Sequence, residues 1–322
     1  MPLEVINDIV RDEMAAVEER FNIELFSDLA CVNTLVRHVA RFRGKMLRPM
    51  LLLLCGKAAG TIGDAHTTLA TVVEMVHMST LVHDDVLDEA ELRRKGATIN
   101  HLRGNEAAVM LGDYLISHSY HLCSSLDSQH ASRLIARTTN QLCEGELLQI
   151  NHRHNYHLDE KTYLDIITRK TAVLIAASCA LGTRYAGGSA AMVSAVENYG
   201  LCLGIAFQIQ DDILDIVGEP SQVGKTLGID IEKGKMTLPL IHFMRSAPRQ
   251  HRDLLLSLLK SESHDKTEKI RNLILPSESI PFARHRAQEY VDEARQSLEA
   301  LPDSEPRRVL DMLADFVVNR PM

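Results

Sequence analysis

Three aspartates at positions i, i+1 and i+4 stand at the end of an apolar helical run twice in this 322-residue chain, and that duplication limits the fold more than any other feature. The first run, MVHMSTLVHDDVLDEAELRR (residues 75–94), contains no Gly or Pro. In and just before it Val72, Met75, Val76, Leu81, Val82, Val86 and Leu87 recur at three- to four-residue steps, the period of a helix with one apolar face. Its end carries Asp84, Asp85 and Asp88. The second run, GIAFQIQDDILDIVG, carries Asp211, Asp212 and Asp215. The spacing is read as one shared helical face, where three carboxylates repel one another unless a cation is shared. A single triplet is equally an ordinary solvated acidic helix end. Two copies embedded in apolar helix, followed by Arg93 and Arg94 in one case and by Lys225 and Lys235 in the other, fit carboxylates and cations that hold an anionic ligand through a metal.

Composition narrows the rest. Trp is absent, Ala, Leu and Met dominate the apolar residues, and Gly/Pro punctuation is sparse in the middle of the chain, which points to an all-α protein. A net charge of −8 argues against a nucleic-acid surface. Six cysteines, none in a CxxC pair, read as reduced thiols of a cytoplasmic protein. The opening MPLEVINDIVRDEM is acidic and amphipathic, unlike a targeting peptide. The longest uncharged helical-looking run, residues 171–183, is too short to span a bilayer, so no stable membrane insertion is expected. No linker of domain-separating composition interrupts residues 1–322, which read as one domain.

In chain order, residues 3–22 form an amphipathic helix with Val10, Val17 and Phe21 on a face that needs a partner, as at a dimer contact. A short helix at 33–41 is broken at FRGKMLRPM. Pro49 suits a first helical turn, and Gly44 lets a ligand approach Lys45 and Arg48 at a helix entrance favourable to anions, although a solvated basic turn has the same look. Helices at 106–126 and 131–151 lead to HRHNYH, whose His152, His154 and His157 do not share a helical face and read as a polar connector. A helix over 162–186 carries Lys170 and Thr171; the lysine either snorkels or donates to a phosphate. The helix at 190–217 stops at Gly218-Glu219-Pro220. The following loop SQVGKTLGIDIEKGKMT is rich in Gly and Lys but lacks the upstream Gly of a Walker A loop. An exposed loop is expected at 262–267.

Taken together in order, GKMLRP, HDDVLD followed by RR, CEGELLQ, RKT, FQIQDDILD and GKTLGIDIEKGKMTLP make residues 43–240 resemble the trans-isoprenyl diphosphate synthases, or polyprenyl synthetases, and nearer still their long-chain octaprenyl and hexaprenyl members. The resemblance implies an all-α, isoprenoid-synthase-type helical bundle around a central cavity, a homodimer, and the two triplets facing each other near the cavity mouth. It implies that Asp84, Asp85, Asp88, Asp211, Asp212 and Asp215 bind Mg²⁺, three ions per active site. Around the allylic diphosphate it places Arg93, Lys170, Thr171, Gln208, Lys225 and Lys235, and around isopentenyl diphosphate Lys45, Arg48, His77 and Arg94. Catalysis then rests on Asp84, Asp85, Asp88, Arg93, Lys170, Asp211 and Lys225. RRKGAT stands where RRGKPT or RRGAPT is more usual, with both arginines kept.

The chemistry agrees. Breaking the allylic C–O bond leaves charge on diphosphate, which Mg²⁺, Lys and Arg stabilise, while an apolar cavity shields the carbocation from water. In the family the departing diphosphate takes the proton. Ser79 lies five residues before Asp84, more than one turn below it at about 1.5 Å per residue, and its small side chain leaves a path for a product of about thirty to forty carbons, membrane-seeking and suited to quinone side chains. Met75, four residues further, either narrows that path or packs as ordinary core. The alternatives are a short-chain synthase, a class I terpene cyclase, and a non-catalytic partner subunit. A cyclase has no need of Lys45, Arg48 and His77, and partner subunits commonly lose one triplet.

Overall fold

The computed structural model describes residues 2–41, 44–93, 96–218, 228–263 and 265–319, with side chains from Asp8 onward. The chain is all-α: α1 (Pro2–Glu24), α2 (Ala30–Ala40), α3 (Leu47–Ala59), α4 (Asp64–Leu87), α5 (Ile99–Arg103), α6 (Asn105–Ser124), α7 (Gln129–Asn151), α8 (Glu160–Ile167), α9 (Val173–Tyr185) and α10 (Ala190–Val217). Further helices follow at Ile229–Glu232, Leu238–Ser246, Arg249–Leu259, Lys266–Ile274, Ser279–Ser297 and Glu305–Val318. Among the described residues the strands are two, β1 (Leu92–Arg93) and β2 (Gly96–Ala97), antiparallel with Leu92 opposite Ala97 and Arg93 opposite Gly96. This small hairpin and α5 occupy the stretch between α4 and α6.

Two compact units make up the chain. One comprises Met1–Asn140, Leu174–Gly200 and Ser297–Leu313; the other comprises Gln141–Val173, Leu201–Gln296 and Ala314–Met322. The chain passes from one to the other five times, inside α7, at the start of α9, inside α10, at the end of Ser279–Ser297 and inside Glu305–Val318, rather than through linkers, so no change of composition marks the boundary.

In the first unit α4 packs on α1, α3 and α6. Helix α3 is buried on all sides from Pro49 to Gly56, the signature of a central helix. It starts from Met46, held at φ 48°, two residues after Gly44 at φ 76°. Helix α9 is buried from Leu174 to Thr183 and comes so close to α3 that a Cβ on Gly182 would lie 2.0 Å from the carbonyl oxygen of Leu52. His66 fastens the same place: its Nδ1 accepts the Gly63 N–H at 3.1 Å and its Nε2–H donates to the Gly182 carbonyl at 3.1 Å. The apolar face of α1 is satisfied within the chain, because Val10, Val17 and Phe21 are fully buried and Lys57 donates to the Ile9 carbonyl at 2.6 Å and pairs with Glu13. That corrects the expectation of a dimer contact for this face.

The second unit is built on a cluster that includes Tyr163, Ile166, Ile167, Ile209, Ile213, Leu238, Ile270 and Ile274. The predicted helix over 162–186 is there, but divided by a π-helical turn at Thr168–Ala172. Helix α10, at 28 residues, is long and apolar enough to cross a membrane by length and composition, which corrects the run-length reading. Its Val196, Tyr199, Ile205, Ile209 and Ile213 are instead buried within the protein.

Gly182→Ala is expected to force α9 off the α3 backbone and to destabilise the first unit by about 2–3 kcal/mol, read as a fall in the thermal unfolding midpoint, whereas Gly63→Ala, at an extended position with open space, leaves packing intact.

Candidate active site

Carboxylates in the last turns of a helix meet the negative end of its dipole, so both triplets stand where positive groups are required. Helix α4 ends at Leu87 with Asp88 as its C-cap, and Glu89 turns left-handed at φ 50°. The Ala90 N–H donates to the Asp85 carbonyl at 2.9 Å and the Glu89 N–H to the Val86 carbonyl at 3.2 Å, a Schellman closure with a strained non-glycine residue. Asn100 Nδ2 donates to the carbonyls of Asp85 (3.2 Å) and Ala90 (3.0 Å), and the Thr98 hydroxyl also reaches Ala90. The hairpin folds back so that Arg93 Nε and Nη2 each lie 2.8 Å from Asp85 Oδ1.

The three carboxylates of this triplet therefore do not act alike. One residue turns a helix by about 100°, so Asp85 leaves the face shared by His77, Leu81, Asp84 and Asp88. Asp85 is buried, which pushes its carboxyl upward while the Arg93 guanidinium opposes that shift. The single shared face read from the sequence holds for Asp84 and Asp88 only.

Further up α4, Met75 and Ser79 are buried, and the Ser79 hydroxyl donates to the Gly112 carbonyl of α6 at 2.9 Å. A Cβ on Gly112 would lie 2.1 Å from His83 Nε2, so α4 and α6 meet through small residues and the size of Ser79 also serves their packing. At the start of α3, Lys45 is exposed and Arg48 half-buried. Burial pushes the Arg48 guanidinium down to about 10, opposed by the charge of Glu74, which is 1% exposed. Arg94 and Lys225 lie outside the described residues.

The second unit assembles its residues around Asp212. The Thr171 hydroxyl donates to Gln208 Oε1 at 2.9 Å, Gln208 Nε2 to Asp212 Oδ1 at 2.9 Å, and the Tyr163 hydroxyl to Asp212 Oδ2 at 2.7 Å. Burial, then Asp230, push the Asp212 carboxyl well above the usual carboxylate range, with Tyr163 and Gln208 opposing. Lys170 donates to Gln149 Oε1 at 2.9 Å and pairs with Glu146, and Lys235 stands 3.6 Å from Asp230. Lys170 and Thr171 lie on the π turn, a distortion that recurs at functional sites. Gly145 explains the CEGELLQ motif physically: a Cβ there would lie 2.6 Å from the Lys170 backbone nitrogen. Lys170, Thr171, Gln208, Asp212, Asp230 and Lys235, with Tyr163 and His152, line a cavity of about 90 Å³.

Asp215 has a different task. Its Oδ1 accepts the Gly228 N–H at 3.0 Å and its Oδ2 the Asp230 N–H at 3.2 Å, so it closes the Gly- and Lys-rich loop onto α10. Burial, then Asp230, raise its carboxyl to about 6, opposed by those backbone donors. The HRHNYH connector braces the same loop through the His154 N–H on the Gly234 carbonyl at 2.9 Å, and its Tyr156 hydroxyl donates to the Leu259 carbonyl at the end of the helix Arg249–Leu259 at 3.1 Å.

Tyr163, Asp230, Gln149 and Glu74 belong to these arrangements and were not singled out from the sequence. Asp230 was legible beside Lys235 in GIDIEKGK, and Glu74 as the one charge in an apolar stretch; Tyr163 has no motif of its own. Among the described residues no three His, Cys, Asp or Glu side chains gather into a ready-made metal cage. The carboxylate-only donor set still fits Mg²⁺, which takes one or two protein carboxylates and completes its octahedron with water and phosphate oxygens.

Because Asp215 is raised in the fold, the folded state holds its proton over a range where the unfolded chain has lost it. Its share of stability is present below about pH 4 and is lost as pH rises through about 6. Denaturant titrations of metal-free protein between these pH values should give a more negative slope for wild type than for Asp215→Asn, the difference being the share of Asp215.

The polyprenyl synthetase family model matches residues 30–274. Over 321 residues the chain is 34% identical to the octaprenyl diphosphate synthase of Escherichia coli (strain K12), covering 99% of each chain. It is 34% identical over 323 residues, 98% of both chains, to the short chain isoprenyl diphosphate synthase of Methanothermobacter thermautotrophicus. Its fold matches, at a TM-score of 0.93 and 34% identity over 99% of this chain and 98% of the other, the crystal structure of a polyprenyl synthase from Caulobacter crescentus CB15 complexed with calcium and isoprenyl diphosphate.

Proposed function

Since the chain belongs to the polyprenyl synthetase family and is a prenyltransferase that makes a prenyl diphosphate, we propose that it condenses isopentenyl diphosphate with farnesyl or geranyl diphosphate into a long all-trans polyprenyl diphosphate. The observation that carries this reading is the division of labour among the aspartates. Asp85 is gripped by Arg93, Asp212 by Tyr163 and Gln208, and Asp215 by the loop backbone. Asp84 and Asp88 share the face of α4 from which the clamped Asp85 turns away, and Asp211 precedes the clamped Asp212 in the same way; these three hold Mg²⁺, with Asp85, Asp212 and Asp215 positioning them. The calcium and isoprenyl diphosphate of the Caulobacter structure support a divalent-cation site.

Bound there, Mg²⁺ supplies stabilisation of the charge that grows on diphosphate as the allylic C–O bond breaks. Arg93, Lys170, Lys225 and Lys235, with Thr171 and Gln208, bind and orient the allylic diphosphate. Lys45, Arg48, His77 and Arg94 hold isopentenyl diphosphate, and the charge of Glu74 opposes the effect of burial on the Arg48 guanidinium. Residues 1–322 act as one synthase domain, supported by a family match that runs through both compact units. The protein works in the cytoplasm as a homodimer, for which exposed Ile23, Phe26, Val109 and Met110 offer contact surface, and its product serves quinone side chains. A product of about thirty to forty carbons is the length read from the small Ser79, five residues before Asp84.

Purified protein incubated with Mg²⁺, radiolabelled isopentenyl diphosphate and farnesyl diphosphate should give a ladder of products in that range. EDTA should abolish it, and Asp84→Asn or Asp211→Asn should lower kcat/KM by about 10³-fold. Farnesyl diphosphate converted to a hydrocarbon without isopentenyl diphosphate contradicts the reading in favour of a cyclase, and inactivity of the protein alone contradicts it in favour of a partner subunit. Ser79→Tyr should shorten the product; a purely structural role predicts a lower unfolding midpoint with product length unchanged.

A further inference from the structure

Between α2 and α5, both in the first unit, lies a cleft of about 270 Å³ that contains none of the residues assigned above to substrate or metal. Arg37, His38 and Arg41 of α2 and Arg103 of α5 line it, over apolar Ile99 and Leu102. Among the described residues no carboxylate lines it and none pairs with Arg37, Arg41 or Arg103. Three guanidinium groups around one cavity without a counter-ion repel one another and present the planar forks that match phosphate oxygens. The volume gives room for a diphosphate.

The cleft is wired to the first carboxylate triplet. His38 makes a 2.7 Å hydrogen bond to the Ala97 carbonyl on β2, and β2 pairs with the strand that carries Arg93. His38 and Ile99 also line an adjoining apolar cavity that ends on Asp85 and Arg93. We propose that this cleft is a second binding site for a diphosphate group, either released diphosphate or the headgroup of a prenyl diphosphate, through which occupancy alters how the hairpin holds Arg93 on Asp85. The inference rests on the diphosphate chemistry of the proposed function.

The test is equilibrium dialysis of radiolabelled inorganic diphosphate, with excess EDTA, against wild type, R37Q/R41Q/R103Q and Lys45→Gln. The proposal expects the triple variant to lose one binding event, its affinity falling at least tenfold, while Lys45→Gln keeps it. In assays with Mg²⁺, the non-competitive part of inhibition by added diphosphate should vanish in the triple variant with kcat unchanged. Repeating the dialysis with farnesyl diphosphate identifies the source: tighter binding than inorganic diphosphate, weakened by Leu102→Ser, assigns the site to a prenyl diphosphate, and equal binding assigns it to free diphosphate. Arg103→Gln alone, at an exposed position, serves if the triple variant does not fold. Identical isotherms for wild type and arginine variants overturn the proposal. Arginine-dependent binding by a chain inactive as a synthase would overturn the proposed function instead.

Discussion

Negative charge placed against the negative end of a helix is the constraint on which the functional part of this protein depends. Each triplet stands in the last turns of a long apolar helix, α4 or α10, where dipole, mutual repulsion and partial burial all oppose ionised carboxylates. The fold answers in the same manner twice. One carboxylate of each triplet is buried and clamped, Asp85 by a guanidinium and Asp212 by a phenol and an amide, and the neighbouring backbone is locked by a Schellman turn in one case and by Asp215 in the other. A clamped carboxylate fixes the helix end, and a fixed helix end sets the direction of the aspartates one residue before it.

The surrounding irregularities serve the same end. Strain at Glu89 lets the chain reverse immediately after Asp88, so that Arg93 returns to Asp85 within one hairpin. The π turn at Thr168–Ala172 places Lys170 and Thr171 where one reaches Gln149 and the other Gln208, and Gly145 allows α7 close enough for this. These features are costly as local structure and make sense only with the chemistry they position.

Much of this was legible in the sequence because it is local. Helical periodicity gave α10 its bounds at 190–217, and the ordered motifs gave the family. What escaped depends on contacts distant in sequence. The partner of Asp85 is set by the hairpin's return, the partner of Asp212 is a tyrosine with no motif, and the apolar face of α1 meets α3 and α4 of its own chain. The boundary between the compact units runs inside helices, where no composition signal exists. Product length is the least local property of all. Relatives named for octaprenyl and for short-chain products are equally 34% identical to this chain, so overall likeness does not fix it.

The division of the aspartates is tested most directly by counting bound Mn²⁺ by electron paramagnetic resonance in the presence of inorganic diphosphate, for wild type, Asp84→Asn and Asp85→Asn. The account predicts that Asp84→Asn loses bound metal while Asp85→Asn retains it and suffers instead in the order of the Arg93 hairpin. Equal loss of metal in both variants would contradict it, since Asp85 would then be a ligand in its own right.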